Sequence, residues 1–204
     1  MVTTSSLDLK YLKDPDVRLM LRVRDGDEKA FSQLVENYQD RIVSIFSHIL
    51  SDHEAAEDLA QEAFLRVYRT RRGYQPTAKF STYIFHISNN LASNTRRKKK
   101  RQKEVPMPAG KTTTFGVRPE EELAVEKSAL MPVRQLSREE LREQVRQSLE
   151  SLSDREKTAI LLHKFEGMSY QDIGVAMEMT DAAVKSLLAR TREKLRVILE
   201  PLIK

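Results

Sequence analysis

The chain has 204 residues, enough for one large domain or two small ones, and its 35 Lys and Arg against 30 Asp and Glu give a net charge of +5. Its 40% hydrophobic and 32% charged residues supply packed cores and exclude wholesale disorder, while zero Cys excludes a disulfide framework, a thiol nucleophile and a thiolate metal site. Six Gly, seven Pro and no Trp argue against a glycine-rich nucleotide fold or a many-turned β-sandwich, so the predicted class is all-α.

The first predicted helix, Val17 to Arg24, packs beside a longer one. In that second helix Phe31, Leu34, Val35, Tyr38, Ile42, Ile45, Phe46 and Ile49 recur at three and four residues, and Asp25 to Glu28 form a capping arrangement before it. Ser51-Asp-His-Glu54 reads as a capping box opening the next helix, with Ala56, Leu59, Ala60, Ala63, Phe64 and Val67 inward. Leu65 then points outward among Asp58, Gln61, Glu62 and Arg69. One apolar side chain ringed by carboxylates and an amide is the pattern of a small protein-docking surface. After the break at Arg72 to Pro76 a further helix runs from about Phe80 into a basic tract, with Phe80, Ile84, Ile87 and Leu91 inward. Its opposite face carries Thr82, Phe85, His86, Asn89, Ser93, Arg96 and Lys100, with Tyr83, Asn90 and Arg97 at the edges. That mixture of aromatic, amide, hydroxyl and cationic groups suits stacking on unpaired bases, reading their edges and holding phosphates.

Charge follows the same division. Arg71 to Lys103 holds ten basic residues and no acidic one, so the rest of the chain carries a net charge of −5. Such a segment is the electrostatic footprint of a protein that neutralises phosphates. Asp27 to Glu62 is biased the other way, with nine acidic residues and two basic ones, and the two faces together suggest two partners.

Val105 to Pro132 contains four of the seven Pro, two of the six Gly and the Thr112 to Thr114 run, and reads as a linker. Helical signals resume at Ser137 to Glu140, with Leu141, Val145, Leu149 and Leu152 on one row. Ser153, Ser169 and Thr180 are then predicted as helix N-termini. Ser169 to Met177, a turn at Glu178-Met179, and a longer basic helix from Thr180 to about Leu199 match a helix-turn-helix whose second helix enters the major groove. With Val184, Leu187, Leu188, Leu195 and Ile198 inward, that helix presents Ala182, Ser186, Ala189 and Arg190, flanked by Ala183 and Lys185.

The run Asp58-Leu-Ala-Gln-Glu-Ala-Phe-Leu-Arg-Val-Tyr68 resembles the polymerase-binding region of bacterial sigma factors of the extracytoplasmic-function (ECF) subfamily. Phe80 to Asn94 with the basic tract resembles its promoter-melting helix. Leu152 to Glu156, Glu166 to Ile173, and Ala183 to Ser186 through Lys194-Leu195 resemble its minus-thirty-five-reading domain. The resemblance implies two small helical domains joined by a flexible linker: a region 2 domain over 15–103, a linker over 104–136, and a region 4 domain with the helix-turn-helix over 137–204.

It further implies an initiation factor without catalysis of its own, in the cytoplasm, whose partners are core RNA polymerase, promoter DNA as duplex and melted non-template strand, and an anti-sigma factor. No cofactor, metal or membrane insertion is expected. Asp58, Gln61, Glu62, Leu65 and Arg66 become the polymerase contacts, on the clamp helices of the largest subunit. Lys79, Thr82, Tyr83, Phe85, His86, Asn89, Asn90, Ser93, Arg96, Arg97 and Lys100 become the minus-ten set, aided by the loop Gly73 to Lys79 in capturing an extruded base. Tyr170, Thr180, Ala182, Ala183, Lys185, Ser186, Ala189 and Arg190 become the minus-thirty-five set. Three departures stand out: Glu178 where the family commonly has Gly, Leu187 and Ala189 where Arg and His are frequent, and a long linker.

Two other classes remain open at this point. A regulator using only the helix-turn-helix leaves Leu65 and the Phe80 to Asn94 face unexplained. A metalloenzyme built on His53, Glu54, Glu57, Asp58 and Glu62 lacks a paired His-Glu-x-x-His arrangement.

Overall fold

A computed structural model describes residues 10–104 and 132–203, with side chains over 10–98, 140 and 142–200. In chain order the helices are α1 (Pro15–Arg24), α2 (Glu28–Leu50), α3 (His53–Thr70), a short 3-10 turn (Arg71–Gly73), α4 (Phe80–Glu104), α5 (Pro132–Glu150), α6 (Asp154–Lys164), α7 (Tyr170–Met177) and α8 (Asp181–Ile203), and no strand occurs among the described residues. Of the predicted linker over 104–136, residues 105–131 lie outside them, and 132–136 are helical.

Short polar side chains start the helices by satisfying backbone N–H groups that have no partner within the helix. Asp14 accepts from Asp16 N at 2.9 Å ahead of Pro15, Asp27 accepts from Ala30 N at 3.1 Å, and Asp52 accepts from Ala55 N at 3.0 Å. Between α2 and α3 the chain turns on Ser51, held at φ 51. Helices α2 and α3 bury the rows their periodicity predicts: Leu34, Tyr38, Ile42, Ile45, Phe46 and Ile49 against Ala56, Leu59, Ala60, Ala63, Phe64 and Val67. Phe80 of α4 meets Tyr38 edge-on at 5.1 Å, locking α4 to α2. The Tyr38 hydroxyl donates to Asp16 at 2.6 Å, which ties α2 to α1; burial and that carboxylate push its ionisation well above the ordinary tyrosine range.

In the second half, Ser153 and Glu156 form a reciprocal capping box at α6. The Glu156 carboxylate also accepts from Lys194 at 2.6 Å, pinning α8 to α6, and this bond with those from Ser153 holds its pKa at about 2. Ser169 caps α7 and Thr180 caps α8, accepting from Ala183 N at 3.3 Å. The helix-turn-helix is tight: a Cβ on Gly174 would lie 2.7 Å from the Met179 carbonyl oxygen, so only glycine fits. Glu178 adopts φ 55 at the turn, a left-handed position that costs a residue with a side chain about 1–2 kcal/mol.

Three local expectations are corrected. Helix α5 begins at Pro132, so Ser137 lies inside a helix rather than at its start. Val145 and Ile198, predicted inward, are exposed, because their rows run past the end of the small second core; Leu195 is half-buried. The sequence leaves the placement of the two halves open, and in the structure they touch. Helix α7 packs along α4 and α6 lies against α2, so the buried apolar residues of both halves form one cluster.

Candidate polymerase and promoter surfaces

The outward face of α3 brings Asp58, Gln61, Glu62, Leu65 and Arg66 together in solvent. Leu65 is 48% exposed, a large apolar side chain that the α3 core row leaves outside. Beside it runs a groove of about 410 Å³ between α2 and α3, lined among others by Phe31, Val35, Val43, Phe64 and Leu65. Phe31, Val35 and Val43 extend the apolar part of this face beyond the five predicted residues. Their signal was in the sequence: Phe31, Val35, Gln39 and Val43 fall at spacing four, a second row beside the Leu34–Tyr38–Ile42 core row and too wide for one helix partner to cover. His53 and Glu57 sit 3.4 Å apart on this helix, and no group of three or more metal-type ligands occurs among the described residues.

The minus-ten set is gathered on α4 and its entry loop, and the second half covers much of it. Thr82 donates to Asp172 at 3.0 Å and Lys79 lies 3.7 Å from the same carboxylate. His86 Nε2 and Asn90 Nδ2 lie 3.0 and 3.2 Å from Glu178 Oε1, and these two partners lower the pKa of Glu178. Asn89 donates to the Ala176 carbonyl at 3.4 Å. Arg96 Nη1 approaches Asp154 Oδ2 to 2.7 Å, an ion pair whose alignment falls short of a hydrogen bond.

Two members of the set are not where the helical phase placed them. Thr82 and Phe85, predicted exposed, are wholly buried. Thr82, Phe85, Asn89 and Ala92 form a second seam at spacing three, four and three, onto which α7 packs with Ile173 and Ala176. Tyr83 lies in an aromatic group instead, its ring 5.3 Å from Tyr74 and 6.2 Å from Phe80. Tyr74, in the entry loop, is buried and its hydroxyl has no hydrogen-bond partner among the described residues. Ser93 is half-buried, Arg97 is exposed, and the Lys100 side chain lies outside the described residues.

The minus-thirty-five set is open. Thr180, Ala182, Lys185, Ser186, Ala189 and Arg190 are exposed and Ala183 is half-buried along the first turns of α8. Val184, Leu187 and Leu188 fix that helix from below. Tyr170 stands at the start of α7, where its hydroxyl accepts from the Arg192 guanidinium at 3.2 Å.

Comparison with known proteins identifies the family. Residues 34–102 match the family Sigma-70 region 2, and residues 142–195 match Sigma-70, region 4. The RNA polymerase sigma-H factor of Pseudomonas aeruginosa is 32% identical across 94% of this chain and 97% of its own length. The ECF RNA polymerase sigma-E factor of Escherichia coli K12 is 30% identical across 93% of this chain and 96% of its own. In fold, the chain is similar to CnrH solved with the cytosolic domain of CnrY, at a TM-score of 0.64 and 18% identity over 92% of this chain and 99% of that one. It is likewise similar to the Bartonella quintana sigma factor RpoE solved with the anti-sigma factor NepR, at 0.62 and 19% over 84% and 98%. Two helical units in region 2 and region 4 order, matched along nearly their whole length by such relatives, place the chain in the ECF subfamily of RNA polymerase sigma factors, the initiation factors that bind core polymerase and direct it to promoters.

Proposed function

We propose that residues 15–103 act as the polymerase-docking and minus-ten domain and residues 137–204 as the minus-thirty-five domain, with 104–136 linking them. Asp58, Gln61, Glu62, Leu65 and Arg66 dock on core polymerase, with the neighbouring groove taking an apolar side chain of the partner. The observation that carries this reading is the exposed Leu65 seated between that groove and a ring of carboxylates and amides. Lys79, Thr82, Tyr83, Phe85, His86, Asn89, Asn90, Ser93, Arg96, Arg97 and Lys100 serve the melted minus-ten strand, where extruding a base costs a few kcal/mol that contacts must offset. Tyr170, Thr180, Ala182, Ala183, Lys185, Ser186, Ala189 and Arg190 serve the minus-thirty-five duplex, where Ala182 and Ala189 let the helix backbone approach the groove edge closely. The chain performs no bond chemistry of its own and works in the cytoplasm; no helix among the described residues is long and apolar enough to cross a membrane. An anti-sigma factor controls it, a reading supported by the partner named with the similar Bartonella quintana structure.

The test is promoter-dependent transcription with purified bacterial core polymerase, with and without this protein, and sequencing of transcript starts. Specific starts sharing two upstream elements are expected. Failure to associate with core enzyme, together with tight duplex binding by the protein alone, would replace this reading with that of a free-standing regulator.

A further inference from the structure

Every residue of the minus-thirty-five set lies on α8 or just ahead of it except Tyr170, which opens α7. Tyr170 is fixed from two sides. Its ring centroid lies 5.4 Å from that of His163 at the end of α6, and His163 Nδ1 donates to the Met168 carbonyl at 3.2 Å. Its hydroxyl oxygen accepts from both Nη1 and Nη2 of Arg192, each at 3.2 Å and 22 residues further along the chain. One side-chain pair therefore straddles the two helices of the helix-turn-helix.

Arg192 is not a member of that set, yet it continues the same face. Lys185, Ala189 and Arg192 follow one another along α8 at spacings of four and three, and all three are exposed. Its partner separates it from the cations beyond it. Lys194 is held by Glu156 at 2.6 Å and Arg196 by Glu193 at 2.7 Å, whereas Arg192 meets an uncharged phenol and keeps its positive charge uncancelled among the described residues. A guanidinium has five N–H donors; two are spent on Tyr170, and the Tyr170 O–H hydrogen itself stays available to donate. A cation and a hydroxyl donor locked side by side match the oxygens of a phosphate, and phosphate contacts fix the register of a recognition helix on the duplex.

We infer that Tyr170 and Arg192 form a backbone clasp: together they grip one phosphodiester of the minus-thirty-five duplex, and Arg192 joins the residues that contact DNA. The inference rests on the reading of α8 as the minus-thirty-five surface. Tyr170 is the rigid half, because its ring packs on His163 and its hydroxyl holds the long Arg192 side chain in one geometry before DNA arrives. The clasp sets where α8 lies in the groove and reads no base.

The test uses holoenzyme assembled from the full chain and core polymerase, on a duplex promoter fragment taken from the start mapping. Arg192→Ala should weaken binding about tenfold and lower the slope of affinity against salt by about one. Tyr170→Phe should weaken it about threefold at an unchanged slope, because a hydroxyl carries no charge. The double variant should be no weaker than Arg192→Ala, since the two side chains act as one unit. Arg192→Lys should keep the slope of the parent without its full affinity, and with Tyr170→Phe it retains the packed atoms of the fold. In a scan of uncharged methylphosphonates along both minus-thirty-five strands, one position should weaken the parent and leave Arg192→Ala unaffected. Arg146→Ala, which removes an exposed cation of α5 paired with Glu143 and Glu150, should change neither slope nor affinity.

An unchanged slope in Arg192→Ala, additive losses in the double variant, or the same phosphate profile in Arg192→Ala and parent overturns the clasp. An equal change of slope in Arg146→Ala overturns it as well. Each of these results leaves the sigma-factor reading in place as long as specific starts form. Absence of specific starts removes the minus-thirty-five reading, and the clasp with it.

Discussion

Along α4 and its entry loop, Lys79, Thr82, His86, Asn89, Asn90 and Arg96 already have protein partners, whereas along the first turns of α8 Ala182, Lys185, Ser186, Ala189 and Arg190 stand in solvent. The chemistry of the two faces explains the contrast. The α4 face, proposed above for melted strands, is built of aromatic and amide groups, and no charged residue lies between Phe80 and Thr95. Such a face is costly to leave wet and binds other surfaces readily. The α8 face, proposed above for duplex DNA, is built of small and cationic residues that are at ease in water, so it needs no cover.

The most complete way to break this contrast is to remove the exposed apolar foothold on α3 proposed for polymerase. Leu65→Glu should abolish co-purification with core polymerase and all promoter-specific starts, while the melting temperature stays within a few degrees of the parent, because the position is exposed. Unfolding of that variant would show that Leu65 belongs to the core.

Asn89→Ala should leave polymerase association and duplex binding intact but reduce promoter opening by about tenfold, the size of a lost base contact. Permanganate reactivity of the minus-ten thymines would read it. Equal loss of duplex binding would show that the two faces are not separable.

Gly174→Ala acts within the helix-turn-helix, between the covering helix α7 and the open face of α8. The new methyl group would meet the Met179 carbonyl oxygen, so the helix-turn-helix should lose about 1–3 kcal/mol. Amide exchange should rise in α7 and α8 and remain unchanged in α2 and α3. Arg190→Ala is milder still, weakening minus-thirty-five duplex binding by about 1 kcal/mol and leaving the packing of α7 along α4 undisturbed. Titration of a duplex promoter fragment with the assembled holoenzyme measures it.

Acid gives the smallest and most local effect. Glu156 is held at about pKa 2 by Lys194 and Ser153, below its ordinary value of 4.5. Its contribution is therefore complete above pH 4.5 and is lost as the pH falls toward 2. Thermal melts between pH 5 and pH 2 should show the α6–α8 contact weakening over that window, and the loss should be blunted in Glu156→Gln.

Much of this architecture is legible in the sequence because it is local. The α3 row from Ala56 to Val67 fixes the phase that leaves Leu65 outside, and Ser153, Ser169 and Thr180 each cap the helix they precede. What periodicity could not reveal depends on a partner far along the chain. Thr82 and Phe85 lie opposite the core face of α4 and are buried because α7 comes from some 90 residues away to cover them. Their seam shows in retrospect as neutral residues at helical spacing, but nothing in α4 alone says what covers it. The exposure of Val145 and Ile198 has the converse origin, apolar rows longer than the small core they serve.

The depth at which Glu166 and Asp172 are held gives the contact between the two halves an ionic-strength character unlike that of DNA binding. Pairs with one buried partner are screened less by mobile ions than fully exposed ones, whereas each phosphate contact releases a counterion and weakens steeply as salt rises. A rise in cell electrolyte therefore loosens nucleic acid from the chain faster than it loosens the chain from itself.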